Sequence, residues 1–214
     1  MKTAFLAFSV AAIATLALLA ASPDLDLALA AWFHGTDGFI GTAPLARFAR
    51  NFLNVVPFGI IATYVGLFLA KRGGFWRGWA PTGAATLFLV ATMALGPGLI
   101  VNLGLKGHAH RPRPVHVTQF GGPDEFKPWN RFDGACGKNC AFASGEASEG
   151  FWMVAPALEV PPPFRGWAVA GAALYGTIVS VLRMAFGGHF LSDVVAGALI
   201  SVAVIAGWLR AFGL

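Results

Sequence analysis

Charged residues are scarce in this chain. Of its 214 residues only 12% are Asp, Glu, Lys or Arg, whereas 57% are hydrophobic. Ordinary soluble domains carry about twice that fraction of charge. The scarcity of charge excludes an ordinary soluble domain and predicts a membrane protein.

Cysteine is also nearly absent. The chain contains two cysteines, Cys136 and Cys140, both in a polar stretch over residues 104–145. Two cysteines exclude a disulfide-rich scaffold and a four-cysteine zinc site. A short disulfide that closes a loop and two free thiols both remain open.

Long uncharged runs recur along the chain, over residues 3–23, 52–70, 78–105, 166–182 and 194–209. Most are long enough to cross the hydrocarbon core, which needs about 20 residues. A sixth, weaker run over residues 147–163 contains two glutamates. We predict an all-α, polytopic membrane bundle of about six transmembrane helices. It forms one domain over residues 1–214, with a polar loop at its outer face.

The basic residues predict the orientation of these spans. The net charge of +5 is scattered between apolar runs and forms no basic stripe, which argues against nucleic-acid binding. The positive-inside rule places the more basic side in the cytoplasm. The residues on that side are Lys2, Lys71, Arg72, Arg77, Arg165 and Arg210. The polar loop then faces the periplasm of a bacterial-type inner membrane, where disulfides persist. Arg47 and Arg50, on the outer side, run against the bias.

Two segments allow two interpretations each. The first apolar run follows a lysine and ends in small residues, so it is either a span or a cleaved signal peptide. Residues 44–54 begin a stretch of apolar residues at helical spacing, which fits an interfacial helix or ordinary packing. The apolar residues are Leu45, Phe48, Phe52 and Val55.

Cations crowd together after the third span, in the stretch Lys106-Gly-His-Ala-His-Arg-Pro-Arg113-Pro114. This crowding on the outer side predicts an anionic ligand. A guanidinium binds phosphate oxygens through two hydrogen bonds, and an ammonium adds a compact charge. A basic loop that touches lipid headgroups explains the same residues.

A small-residue turn, Ser144-Gly145-Glu146, begins the fourth span. Backbone N–H groups at the start of a helix point towards bound anions, and a serine hydroxyl donates one more hydrogen bond. A simple helix cap, with Ser144 as the N-cap, accounts for the same pattern.

A third group, which includes Arg183, His189 and Asp193, joins the last two spans. If the last helix begins near His189, His189 and Asp193 share one helical face. The carboxylate then holds the imidazole in one tautomer and leaves the other nitrogen able to attack. A structural His–Asp pair and a pair of metal ligands are the alternatives.

Together the three groups resemble the type 2 phosphatidic acid phosphatase superfamily. Its signature is lysine, six residues and Arg-Pro; then Ser-Gly-His; then arginine, five residues, histidine, three residues and aspartate. The first and third parts match in spacing, at Lys106, Arg113, Pro114, Arg183, His189 and Asp193. The second part departs from the signature, because Glu146 replaces the histidine. Leu182 stands where a serine often precedes the arginine.

The resemblance implies a metal-independent, cofactor-free lipid phosphate phosphatase whose catalytic motifs lie within residues 106–193. It assigns His189 as the nucleophile of a phosphohistidine mechanism, Asp193 as its orienting residue and Glu146 as the acid. Glu149, His108 and His110 are the alternative acids. The phosphate-binding residues it implies are Lys106, Arg113, Ser144, Gly145 and Arg183. The expected partners are membrane lipids and one lipid-linked phosphate: lipid A, undecaprenyl diphosphate, phosphatidylglycerol phosphate or phosphatidic acid. Lipid A is slightly favoured.

Two other functions fit part of the sequence. A family member that has lost its acid would bind or move an anionic lipid without releasing phosphate. A metal-binding membrane protein would use His189, Asp193 and the loop histidines, but this leaves the three cations unexplained. The sequence indicates no oligomeric state.

Overall fold

A computed structural model describes residues 2–212, apart from the side chain of Lys2. The predicted cytoplasmic position of that side chain therefore lies outside the described residues. The described chain is mostly helical. Its helices are α1 (Lys2–Ala21), α2 (Asp24–Ala31), α3 (Pro44–Arg72), α4 (Gly83–His108), α5 (Gly145–Trp152), α6 (Val154–Leu158), α7 (Pro162–Ala185) and α8 (Leu191–Ala211). Helix α4 widens into a π-helix over Ala94–Leu105. Strands β1 (His34–Gly35) and β2 (Gly38–Phe39) form a small antiparallel hairpin.

Five of the helices are long and apolar enough to cross a membrane: α1, α3, α4, α7 and α8. They correspond to the five strong runs in the sequence, which confirms the prediction of an all-α, multi-pass membrane protein. Helix α1 packs against α8 and buries Leu16 and Leu19. Trp129 of the polar loop donates a hydrogen bond to the carbonyl of Leu16, with a nitrogen–oxygen distance of 3.0 Å.

The weak run over residues 147–163, which is the fourth in chain order, is shorter and more broken than the sequence predicted. It forms two short helices, α5 and α6, that meet at Met153. Pro156 has no N–H to donate to the carbonyl of Trp152, so the regular α-helical bonding cannot continue through this point. The Trp152 side chain is fully buried and donates to the Thr92 hydroxyl at 3.0 Å. This segment is therefore a central core element of the bundle.

Residues 44–54 are the first turns of α3, which runs without a break to Arg72. The prediction of a separate interfacial helix was wrong. Ordinary packing does not describe the segment either, because its four apolar side chains, Leu45, Phe48, Phe52 and Val55, are all exposed. Within the described chain no other element covers this apolar stripe.

Small residues let α5 approach its neighbours closely. A Cβ at Gly150 of α5 would lie 3.1 Å from the Cα of Gly176 in α7. On the α8 side, the Ser148 and Ser201 hydroxyls are 2.7 Å apart. This packing brings the start of α5 beside the end of α7 and the start of α8, where the three sequence motifs meet.

Candidate active site

His189 lies in the turn between α7 and α8, which bends at Gly187 with a φ of +61°. Its imidazole is buried, and Nδ1 lies 2.7 Å from the carbonyl oxygen of Ala141. A carbonyl only accepts hydrogen bonds, so Nδ1 carries the proton. The lone pair is therefore on Nε2, the nitrogen that would attack an electrophile.

The contact between His189 and Asp193 is looser than the sequence predicted. Helix α8 begins at Leu191, so His189 precedes the helix and does not share a helical face with Asp193. Oδ2 of Asp193 is 3.8 Å from Nδ1, too far for a hydrogen bond, and accepts instead from the Phe190 N–H at 2.8 Å. The Ala141 carbonyl, and not Asp193, therefore holds the imidazole in its tautomer. Asp193 contributes a nearby negative charge.

The surroundings of His189 favour its neutral form. Burial lowers its pKa to about 4, and the positive charges of Arg183 and Arg113 act in the same direction, while Asp193 opposes them. Two of the predicted phosphate-binding cations are thus close enough to act on the imidazole. The ring stays neutral, and hence nucleophilic, at ordinary pH.

Arg183 projects from the last turn of α7 across Gly188. A Cβ at Gly188 would lie 2.5 Å from Nη2 of Arg183, so a larger residue there would push the guanidinium out of this position. Among the described residues, Nε of Arg183 is the one buried side-chain nitrogen or oxygen without a hydrogen-bond partner. Oε1 of Glu146 lies 3.4 Å from it but not in hydrogen-bonding geometry, so the donor of this nitrogen is left for a ligand.

Lys106 reaches the start of α5 from the end of α4. A Cβ at Gly145 would lie 2.9 Å from Nζ of Lys106 and 2.5 Å from Oδ1 of Asn102, so a larger residue there would displace both side chains. Ser144 caps α5, since its hydroxyl oxygen accepts from the Ala147 N–H at 3.3 Å. The cap leaves the first N–H groups of the helix without partners inside it. The turn thus serves as a cap and presents donors beside an ammonium.

Arg113 is held by the polar loop. Its Nε and Nη2 donate to the carbonyl of Asn139, at 3.2 and 2.8 Å. The structure joins Cys136 to Cys140 in a disulfide, so the pair is not two free thiols here. The closed loop presents the Asn139 carbonyl to Arg113 and the Ala141 carbonyl to the histidine.

Glu146 forms an ion pair that the sequence did not predict. Nη2 and Nε of Arg50, in α3, donate to its two carboxylate oxygens at 2.5 and 3.0 Å. Nε of Arg183 lies 3.4 Å from the same carboxylate. Two guanidinium groups stabilise the ionised form, which has no proton to donate. This arrangement argues against the predicted role of Glu146 as an acid.

The alternative acids are differently placed. Glu149 lies one turn along α5, with Oε1 3.5 Å from Nδ2 of Asn102. Nδ1 of His108 lies 2.7 Å from the Gly104 carbonyl, and Nδ1 of His110 lies 2.9 Å from the Cys136 carbonyl. Over residues 2–212, no three His, Cys, Asp or Glu side chains form a group that could hold a metal ion.

Sequence reasoning missed Arg111, the most deeply buried cation near the site. Its side chain is fully buried and donates to Asp26 at 2.9 Å, to Asp193 at 2.5 Å and to the Ser192 hydroxyl at 2.7 Å. The guanidinium lies 4.4 Å from the ring centroid of Phe190. Arg111 thereby ties α2 to the start of α8.

No local signal separates Arg111 from Arg113, because each arginine precedes a proline. Asp26 stands in a short apolar helix between two spans, where the sequence reads only as a connection. An aspartate among apolar residues is the one hint available, since a buried carboxylate needs a cationic partner.

The chain is similar to a known protein family and to several named proteins. The PAP2 superfamily matches residues 85–213. Lipid A 4'-phosphatase of Francisella tularensis subsp. novicida (strain U112) is 37% identical over 186 residues, which cover 81% of this chain and 79% of that protein. Lipid A 4'-phosphatase of Rhizobium leguminosarum is 40% identical over 120 residues, or 56% of this chain and 52% of the relative. The Rhizobium etli protein of the same name is 39% identical over 120 residues, or 56% and 47%. No solved structure matches the chain.

Proposed function

Because this chain belongs to the PAP2 superfamily and is a membrane lipid phosphatase, we propose that it removes the 4'-phosphate of lipid A with His189 as the nucleophile. The observation that carries the proposal is convergence. Three stretches that are distant in the sequence surround one buried, neutral imidazole. The names of three relatives favour lipid A over the other lipid phosphates.

The proposed reaction is an in-line displacement. Nε2 of His189 forms a bond to phosphorus while the bond from phosphorus to the sugar oxygen breaks, and the departing oxygen takes a proton from solvent. Water then hydrolyses the phosphohistidine, which releases inorganic phosphate and restores the imidazole. The reaction as proposed needs no metal ion. The developing positive charge on the ring is stabilised by Asp193, 3.8 Å away.

The cations supply the electrostatic part of catalysis. Phosphoryl transfer depends mainly on positioning and on neutralising charge at the equatorial oxygens. In this proposal Lys106, Arg113 and Arg183 bind those oxygens, together with the Ser144–Gly145 turn. The unsatisfied Nε of Arg183 supports this role, because a bound phosphate would give it an acceptor.

The location of the site suits a lipid substrate. His189 and Arg183 lie at the ends of spans, where a headgroup arrives while the acyl chains stay in the bilayer. The bias of basic residues supports an inner-membrane location with the site facing the periplasm.

The test is phosphate release by detergent-solubilised protein from four lipids: lipid A, undecaprenyl diphosphate, phosphatidylglycerol phosphate and phosphatidic acid. We expect lipid A to be the best substrate, with loss of the 4'-phosphate seen by mass spectrometry and full activity in the presence of chelator. Lipid binding without release would identify a non-catalytic lipid-binding protein. Inactivation by chelator would identify a metal-dependent reaction.

The pKa of His189 is a second test. Burial, Arg183 and Arg113 lower it to about 4, so the ring is neutral at pH 5, where an ordinary histidine is mostly protonated. In a histidine-selective NMR titration, the signal that disappears in His189→Asn is expected to stay in its neutral position from pH 8 down to about pH 5. A midpoint near 6.5 would contradict the buried geometry.

A further inference from the structure

Arg50 has unused hydrogen-bonding capacity at the site. A guanidinium carries five N–H donors. Nε and Nη2 use one each on Glu146, and the described residues provide no other hydrogen-bond acceptor for Arg50. Its side chain is 33% exposed, so the remaining donors are accessible. No sequence motif includes Arg50, which stands 96 residues from its partner.

The position of Arg50 is well defined. Two parallel hydrogen bonds to one carboxylate fix both the distance and the plane of a guanidinium. The Phe186 ring lies beneath it, with its centroid 5.5 Å from Cζ. Phe186 directly follows α7, which carries Arg183. Arg50 therefore packs against the end of the helix that carries Arg183.

Arg50 and Arg183 converge on one atom. Oε1 of Glu146 lies 2.5 Å from Nη2 of Arg50 and 3.4 Å from Nε of Arg183. The two guanidinium groups repel each other, and the single carboxylate of Glu146 neutralises only one of their two positive charges, so a second anion that contacts both is favoured. The positive charge of Arg50 also reaches Arg113, whose pKa is lowered chiefly by burial and further by Arg50.

We propose that Arg50 is a fourth phosphate-binding cation of this site and that Glu146 is its positioning residue. The proposal rests on the proposed function and extends it. A tetrahedral phosphate would then receive donors from Arg50 on α3, in addition to those from α4, α7 and the polar loop. Glu146 acts through Arg50, because its ionised carboxylate is paired with two guanidinium groups and has no proton to transfer.

The first experiment compares Arg50→Ala and Arg50→Lys with the matched control Arg47→Ala. Arg47 is exposed and lies one turn earlier on α3, and its side chain makes no hydrogen bond or ion pair with the described residues. We expect Arg50→Ala to lower kcat/KM for lipid A by about 100-fold, the typical cost of losing one preorganised donor. Arg50→Lys recovers part of the loss because it restores the charge without the planar fork. Arg47→Ala keeps wild-type activity.

Glu146→Gln separates the positioning role from an independent one. If Glu146 acts only through Arg50, Glu146→Gln lowers activity in the wild type but adds little in the Arg50→Ala background. The double variant carries no unpaired charge at this pair, so its thermal unfolding also checks that the fold is intact. Fully multiplicative losses would overturn the positioning role.

Binding of inorganic phosphate tests Arg50 without turnover. In calorimetry on the solubilised protein, Arg50→Ala is expected to weaken phosphate binding by about tenfold or more, the worth of one hydrogen bond to a charged group. If the wild type binds phosphate but releases none from lipid A, the proposed function fails and this comparison still tests Arg50. If the wild type is active and Arg50→Ala matches it in both turnover and phosphate binding, only the present inference fails.

Discussion

Replacing His189 with alanine is expected to reduce phosphate release from lipid A by about 10⁴-fold or more, as for other covalent nucleophiles. The reason is that Nε2 is the proposed attacking atom, and no other histidine among the described residues is buried. His116 provides a matched control, because its side chain is exposed in the polar loop. His116→Ala should keep wild-type activity.

The covalent intermediate gives an independent measurement of the same step. After rapid quenching at alkaline pH, the wild type incubated with radiolabelled lipid A should retain acid-labile label on the protein, as expected for a phosphohistidine. His189→Ala should retain none. Near-normal phosphate release by His189→Ala would remove the histidine mechanism altogether.

Replacing Arg111 with methionine is expected to lower the free energy of unfolding by about 3–5 kcal/mol, the usual cost of removing one partner of a buried ion pair. Methionine fills similar space but leaves the carboxylates of Asp26 and Asp193 buried without their cation. Activity should fall as well, since Asp193 lies beside His189.

The measurement is denaturant-induced unfolding of the solubilised protein, followed by tryptophan fluorescence. The control is Arg131→Met, which removes a largely exposed arginine whose partner is Asp133 on the surface of the polar loop. Exposed ion pairs contribute little, so this variant should unfold like the wild type. Equal stability of the Arg111 and Arg131 variants would show that the buried network is dispensable.

The spans were predictable because each depends on a local property. A run of about 20 apolar residues is stable in hydrocarbon only as a helix, since its backbone hydrogen bonds must be satisfied internally. The weak run was misjudged in extent for an equally local reason, since Pro156 interrupts its hydrogen bonding. Residues 44–54 were predicted to lie outside the second span, because Arg47 and Arg50 interrupt the uncharged run that marks it.

The site was predictable in part. Lys106, Arg113, Arg183 and His189 follow from spacing, and the structure brings their charges within reach of one another. Three other features were not predictable. Arg50 pairs with Glu146, Arg111 bridges two aspartates, and a backbone carbonyl holds the imidazole of His189.

The sequence by itself determined the class of protein and the positions of its strong spans, and it predicted residues that would bind a phosphate. Composition and spacing suffice for these, because each depends on neighbours along the chain. Only the tertiary structure decided what each charged group does. Glu146 is an anchored anion because α3 brings Arg50 to it, and Asp193 is held away from the imidazole by Arg111 and by the start of α8. The state of a buried charge is decided by its nearest partner in space, and here those partners lie more than 80 residues away along the chain.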